Sequence, residues 1–127
     1  MNNCSFVGRF VGDPDLNNVN DTNVVRFTLA INEYRKSKTG EKNKRTDFLD
    51  FEAWDSGATT ISKYCRKGDE IVVETSARQH KWTDKEGQKV SKVRFRVNRF
   101  KLLHNSNGFS SDSDENSEVE QTREVPI

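Results

Sequence analysis

Phe48-Leu49-Asp50-Phe51-Glu52-Ala53-Trp54-Asp55-Ser56 alternates up to Trp54 and then offers a helix start, and that change fixes the place of its neighbours. From Phe48 to Trp54 the apolar Leu49, Phe51 and Ala53 alternate with Phe48, Asp50, Glu52 and Trp54, the two-residue period of a strand with one buried face. Asp55-Ser56 then offers an N-cap for a helix through Ile61 and Tyr64. Arg66-Lys67-Gly68 supplies a basic last turn and a glycine suited to the left-handed C′ position. One helix of about three turns is expected, and no other.

Upstream, Val25, Phe27, Leu29 and Ile31 alternate with Val24, Arg26, Thr28 and Ala30, a second strand. Cys4 to Gly12 is a kinked strand broken by glycines, and Asp13-Pro14-Asp15 ends it in a turn. Between Glu33 and Asp47, Arg35, Lys36, Lys38, Lys42, Lys44 and Arg45 face only Glu41, which reads as a long, basic, mobile hairpin tip. Downstream, Glu70 to Trp82 is β-rich, and Thr83-Asp84-Lys85-Glu86-Gly87 turns the chain into a last strand. There Val93, Phe95 and Val97 hold one parity and Phe100 and Leu102 the other, as a bulge produces. Three strands, a helix and two strands match a five-stranded OB barrel whose helix lies between the third and fourth strands. The fold expected is all-β with one short helix: an OB-fold barrel over 1–103 and a disordered acidic C-terminal tail over 104–127.

Charge separates the same two parts. Residues 1–103 carry 20 Lys and Arg against 14 Asp and Glu, whereas 104–127 carry Arg123 against Asp112, Asp114, Glu115, Glu118, Glu120 and Glu124. A basic domain with an acidic appendage suits a polyanion ligand. Cys4 and Cys65 are too few for a disulfide scaffold and read as buried small apolar residues, and with His80 and His104 they form no zinc spacing. No apolar run reaches the roughly eighteen residues of a membrane span, and no secretory signal opens the chain, so a cytoplasmic location without membrane is expected. Neither a phosphate loop nor a nucleophile elbow occurs, so no catalytic residue, metal or cofactor is expected and the chain reads as no enzyme.

Single-stranded nucleic acid needs aromatic faces for its bases and cations for its phosphates. Tyr34, Phe48, Trp54 and Trp82 stand at strand ends or on polar strand faces beside cations, and are the rings selected. Phe6, Phe27, Phe51 and Phe95 lie on apolar faces and read as core. Arg35, Lys42, Lys44, Arg45, Lys67, Arg78 and Lys81 are the cations selected; Arg9, Arg94, Arg96 and Arg99 fit either role. Asp50 and Glu52 share the face of two rings and would repel phosphate if they pointed at it. Three rivals use similar residues: an RNA-binding OB module, a protein-interaction OB domain and a metal-dependent nuclease.

These segments also resemble the homotetrameric single-stranded DNA-binding proteins of bacteria and phages. The likeness runs from Ser5-Phe6-Val7-Gly8-Arg9 to Gly12-Asp13-Pro14 and through Phe27-Thr28-Leu29-Ala30-Ile31-Asn32. It continues in Thr46-Asp47-Phe48, Tyr64-Cys65-Arg66-Lys67-Gly68-Asp69 and Arg78-Gln79-His80-Lys81-Trp82-Thr83-Asp84. The resemblance implies sequence-independent coating of single-stranded DNA in replication, recombination and repair. It implies a homotetramer with a dimer contact through the first strand, acting at the nucleoid or replication fork. It also implies replication and repair partners recruited by the tail tip, here Glu124-Val125-Pro126-Ile127, where the family ends in proline and phenylalanine. The short tail points to a phage or other mobile-element origin, hence to a host-cell cytoplasm.

Overall fold

Residues 1–104 are described by a computed structural model. Their strands are β1 (Cys4–Phe10), β2 (Asp15–Val19), β3 (Thr22–Lys36), β4 (Lys42–Trp54), β5 (Glu70–Thr83) and β6 (Lys89–His104), with α1 (Asp55–Tyr64) between β4 and β5. The sheet runs β1-β5-β6-β4-β3-β2, and a further β1–β3 pairing closes five strands into a barrel. β1 achieves closure by serving two neighbours: Arg9 stands opposite Glu70 of β5 and Ala30 of β3. Gly8 permits the crossing, because a Cβ there would lie 2.7 Å from Ile31 Cδ1 and 2.9 Å from Leu29 Cβ. β4 and β6 join in parallel at Phe51↔Phe95 and Glu52↔Arg96; the other pairings are antiparallel.

The alternating apolar residues fill the barrel. Phe10, Val25, Phe27, Leu29, Phe51, Ala53, Ile71, Val73, Val97 and Phe100 are buried, with Phe6 and Phe95 packed against them. Phe51 contacts Phe6 and Phe95 with ring centroids 5.5 Å away and stacks on Phe27 at 5.6 Å. The four phenylalanines assigned to the core therefore lie in one aromatic cluster. α1 packs on β3 and β4, burying Gly57, Ala58 and Ile61, and adds Ala58 and Ile61 to the core. On β6, Glu74↔Arg99 is followed by Thr75↔Val97, leaving Asn98 as the extra residue that shifts the apolar parity before Phe100.

Several local expectations change. β2 pairs with β3 although all its residues are exposed, so it carries no apolar alternation. What makes it a strand is the turn behind it: Asn20 (φ 52°) and Asp21 (φ 64°) adopt the left-handed conformation of a tight hairpin. The basic stretch is mostly ladder rather than a long tip, because β3 and β4 stay paired out to Lys36↔Lys42. Only Ser37–Glu41 turns, held by Ser37 N–H to Glu41 O at 2.8 Å and Gly40 N–H to Ser37 O at 3.0 Å. Trp54, rather than Asp55 or Ser56, is the helix N-cap, and it makes no side-chain cap hydrogen bond. Cys65 is the C-cap in extended conformation, while Gly68 (φ 94°) serves the next turn and donates to Phe10 O. Cys65 is buried, and burial pushes its thiol up to about 12, whereas Cys4 is only half-buried. The expected acidic tail, with Glu124, Val125, Pro126 and Ile127, lies outside the described residues apart from His104.

Candidate nucleic-acid interface

Residues opposite each other in a ladder project to the same face, so register locates each predicted contact. Tyr34 pairs with Lys44, Ala30 with Phe48, Thr28 with Asp50 and Arg26 with Glu52. Glu52 pairs with Arg96 across β4 and β6. From there Arg96 leads to Ser76, Arg94 to Arg78, Lys92 to His80 and Val90 to Trp82. Tyr34, Phe48, Trp54 and Trp82, chosen from three separate segments, thus share one outer face. Two paired ribbons, β3–β4 and β5–β6, carry it beyond the barrel.

Tyr34 (69%), Phe48 (66%) and Trp82 (47%) are exposed. Trp54 is half-buried, its indole Nε1 donates to Glu52 Oε2 at 3.1 Å, and the Arg96 guanidinium lies 5.2 Å from its ring centroid. One face of Trp54 is therefore taken by a cation. Among the selected cations, Lys42, Lys44 and Arg78 follow the ring face. Arg35, Arg45 and Lys81 occupy the alternate positions, opposite Asn43, Glu33 and Ser91, and project to the reverse side of the same ribbons. Lys67 sits in the turn after α1, where its N–H donates to Asp13 Oδ1 at 2.8 Å.

The two carboxylates between the rings, Asp50 and Glu52, are occupied. Asp50 accepts from Thr28 Oγ1 at 2.8 Å and pairs with Lys92. The Lys92 hydrogen bond is the main cause that holds its carboxyl below the ordinary aspartate value, against the opposing effect of burial. Glu52 is fully buried (0% exposed) beneath Arg94 Nη1 at 3.5 Å and Arg96 Nη2 at 3.2 Å. Burial would raise it, but the Trp54 hydrogen bond, the nearby His80 and Arg96 together hold it below the ordinary glutamate value. Neither acid is left to repel a phosphate. Beside them Asp15, Arg26, Thr28, Asp50, Lys92 and Arg94 line a furrow of about 320 Å³.

Sequence reasoning missed Arg26, His80 and Lys92 and left Arg94 and Arg96 ambiguous. A signal existed for the arginines, because Arg94 and Arg96 alternate with Phe95 and Val97 and must face outward if those rows face the core. Arg9 is structural: it donates to Gly68 O at 2.6 Å and pairs with Glu70 at 3.5 Å.

A closed five-stranded barrel bearing exposed rings and cations across one outer face is an OB-fold barrel of the nucleic-acid-binding type. The Single-strand binding protein family matches residues 1–103, and the chain belongs to that family. The single-stranded DNA-binding protein of Aquifex aeolicus is 34% identical over 120 residues, covering 94% of this chain and 81% of the relative. That of Staphylococcus aureus is 29% identical over 125 residues, covering 97% and 79%. Among solved structures, a Plasmodium falciparum SSB complex with ssDNA is similar at a TM-score of 0.73 and 26% identity, covering 82% of this chain and 96% of that one.

Proposed function

We propose that residues 1–103 bind single-stranded DNA without sequence preference, as the names of the relatives say of them, and that the chain coats and protects the strand without chemistry of its own. The observation that carries this reading is the register, which gathers four rings and a row of cations on one face while pairing off Asp50 and Glu52. Bases stack on Tyr34, Phe48, Trp82 and the open side of Trp54. Phosphates meet Lys42, Lys44, Arg78, Lys92, Arg94 and Arg96. Arg35, Arg45, Lys67 and Lys81 draw the strand in from the reverse side and the barrel end. Stacking contributes ~1–3 kcal/mol per base, which every base can supply because each has a π-face.

Family membership supports wider roles in the same proposal. The chain acts as a homotetramer in replication, recombination and repair, in the cytoplasm, and its acidic residues 104–127 recruit partner enzymes through Glu124, Val125, Pro126 and Ile127. Equilibrium binding to oligo-dT, a mixed-sequence DNA and the matched RNA, with light scattering for mass, tests these points. Similar affinity for both DNAs and weaker RNA binding is expected. Preference for RNA would favour the RNA-binding alternative.

A further inference from the structure

His80 lies on β5 within the ring face, opposite Lys92 and two residues before Trp82. Among the described residues its Nε2 is the one buried side-chain nitrogen or oxygen without a hydrogen-bond partner. It stands 3.6 Å from Glu52 Oε1. The two oxygens of Glu52 are served unequally. Oε2 receives Trp54 Nε1 at 3.1 Å and Arg96 Nε at 3.2 Å, while Oε1 has Arg94 Nη1 at 3.5 Å, at the limit of a hydrogen bond. Oε1 is therefore an acceptor with two distant donors, one a permanent cation and the other a cation only when protonated.

We propose that Arg94 and His80 are alternative partners of Glu52 Oε1, so that capture of a DNA phosphate by Arg94 is accompanied by uptake of a proton at His80. The step rests on the single-stranded DNA reading above. A phosphate arriving at the furrow draws Arg94 outward, and a buried carboxylate oxygen left without a donor is costly. His80 Nε2–H then donates to that oxygen. The neutral ring could do so as its Nε2–H tautomer, but with the Arg94 cation drawn away the ionised Glu52 beside it favours the doubly protonated imidazolium, which is where the proton is taken up. The proton comes from solvent, no bond other than N–H forms, and Glu52 stays ionised throughout.

The charged groups facing this point are Asp50 and Glu52 on β4, Lys92, Arg94 and Arg96 on β6, Arg78 on β5, Arg26 on β3 and Asp15 opposite it on β2. Both carboxyls are held below their ordinary values. Imidazole is the side chain that ordinarily changes charge between roughly pH 5 and 8. Because the bound state holds more protons, affinity rises as pH falls, with a ceiling of about tenfold per pH unit for one proton.

The chain has only two histidines, so the test is compact. Binding of oligo-dT to the full chain is measured by calorimetry across the imidazole range, in buffers of different ionisation enthalpy, for wild type, His80→Gln, His104→Gln and Glu52→Gln. A fraction of a proton taken up per chain in wild type and His104→Gln, and none in His80→Gln or Glu52→Gln, is expected. Undiminished uptake in His80→Gln, or binding by wild type without uptake, overturns the proposal. Undiminished uptake in Glu52→Gln overturns the exchange at Oε1. Failure of wild type to bind oligo-dT at any pH removes the DNA reading itself, and this inference with it.

Discussion

Asp50 and Glu52 stand on the face proposed for phosphates, and their consequences depend on partners that no local pattern reveals. Arg94 and Arg96 reach Glu52 from 42 and 44 residues away in the chain. Four rings could be picked from local polarity, but the neutralisation of the acids between them could not. Each carboxyl is held below its ordinary value in the folded chain, so each contributes stability that is present above the ordinary carboxylate range and lost as pH falls through the folded value. Urea midpoints followed from neutral to acid pH are expected to decline less steeply in Asp50→Asn and Glu52→Gln than in wild type; parallel declines would deny the linkage. Among the rings, Tyr34→Ala, Phe48→Ala and Trp82→Ala should each weaken oligo-dT binding by ~1–3 kcal/mol at unchanged urea midpoint. Trp54→Ala should cost less binding but some stability, because its ring is bracketed by Arg96 and Glu52.

Element by element, alternation made β3, β4 and β6 readable, strand-forming composition bounded by turn residues marked β1 and β5, and Asp55-Ser56 with Arg66-Lys67-Gly68 located α1. β2 escaped because Asp15-Leu16-Asn17-Asn18-Val19 buries nothing and is specified by Asn20-Asp21 behind it. The basic stretch was misjudged for a related reason: a ribbon with both faces in water has no apolar parity, and its order comes from the ladder between β3 and β4. That order gives the cations definite sides. Lys44→Gln and Arg78→Gln, on the ring face, should each reduce the slope of log affinity against log salt by ~0.7, the value of one phosphate contact on a single strand. Arg35→Gln and Arg45→Gln, on the reverse side, should each reduce the slope by much less than that. A slope that fell equally in both pairs would mean that the strand wraps both sides of the ribbon. At the β1 crossing, Gly8→Ala drives a methyl into Ile31 and Leu29 and should destabilise the barrel by ~1–3 kcal/mol, read from urea unfolding.

At the scale of the molecule, barrel closure is what turns separate sequence signals into a surface. β1 seals β5 to β3, the parallel contact of Phe51 and Glu52 with Phe95 and Arg96 joins the two ribbons, and the rings and cations of both come to lie on one continuous outer face. Local periodicity identified the strands and their order suggested the barrel, but only the cross-strand register shows which side each cation takes. That base stacking on this face holds the strand is tested most directly by tryptophan emission, since the chain has only two tryptophans, Trp54 and Trp82. Emission is followed while oligo-dT is added to the intact chain and to Trp82→Phe. Strong quenching in the intact chain, falling to a small residue from Trp54 in the variant, is the result predicted. Unchanged emission from a chain that remains folded would contradict it, and would make the rings part of a contact between proteins rather than a platform for bases.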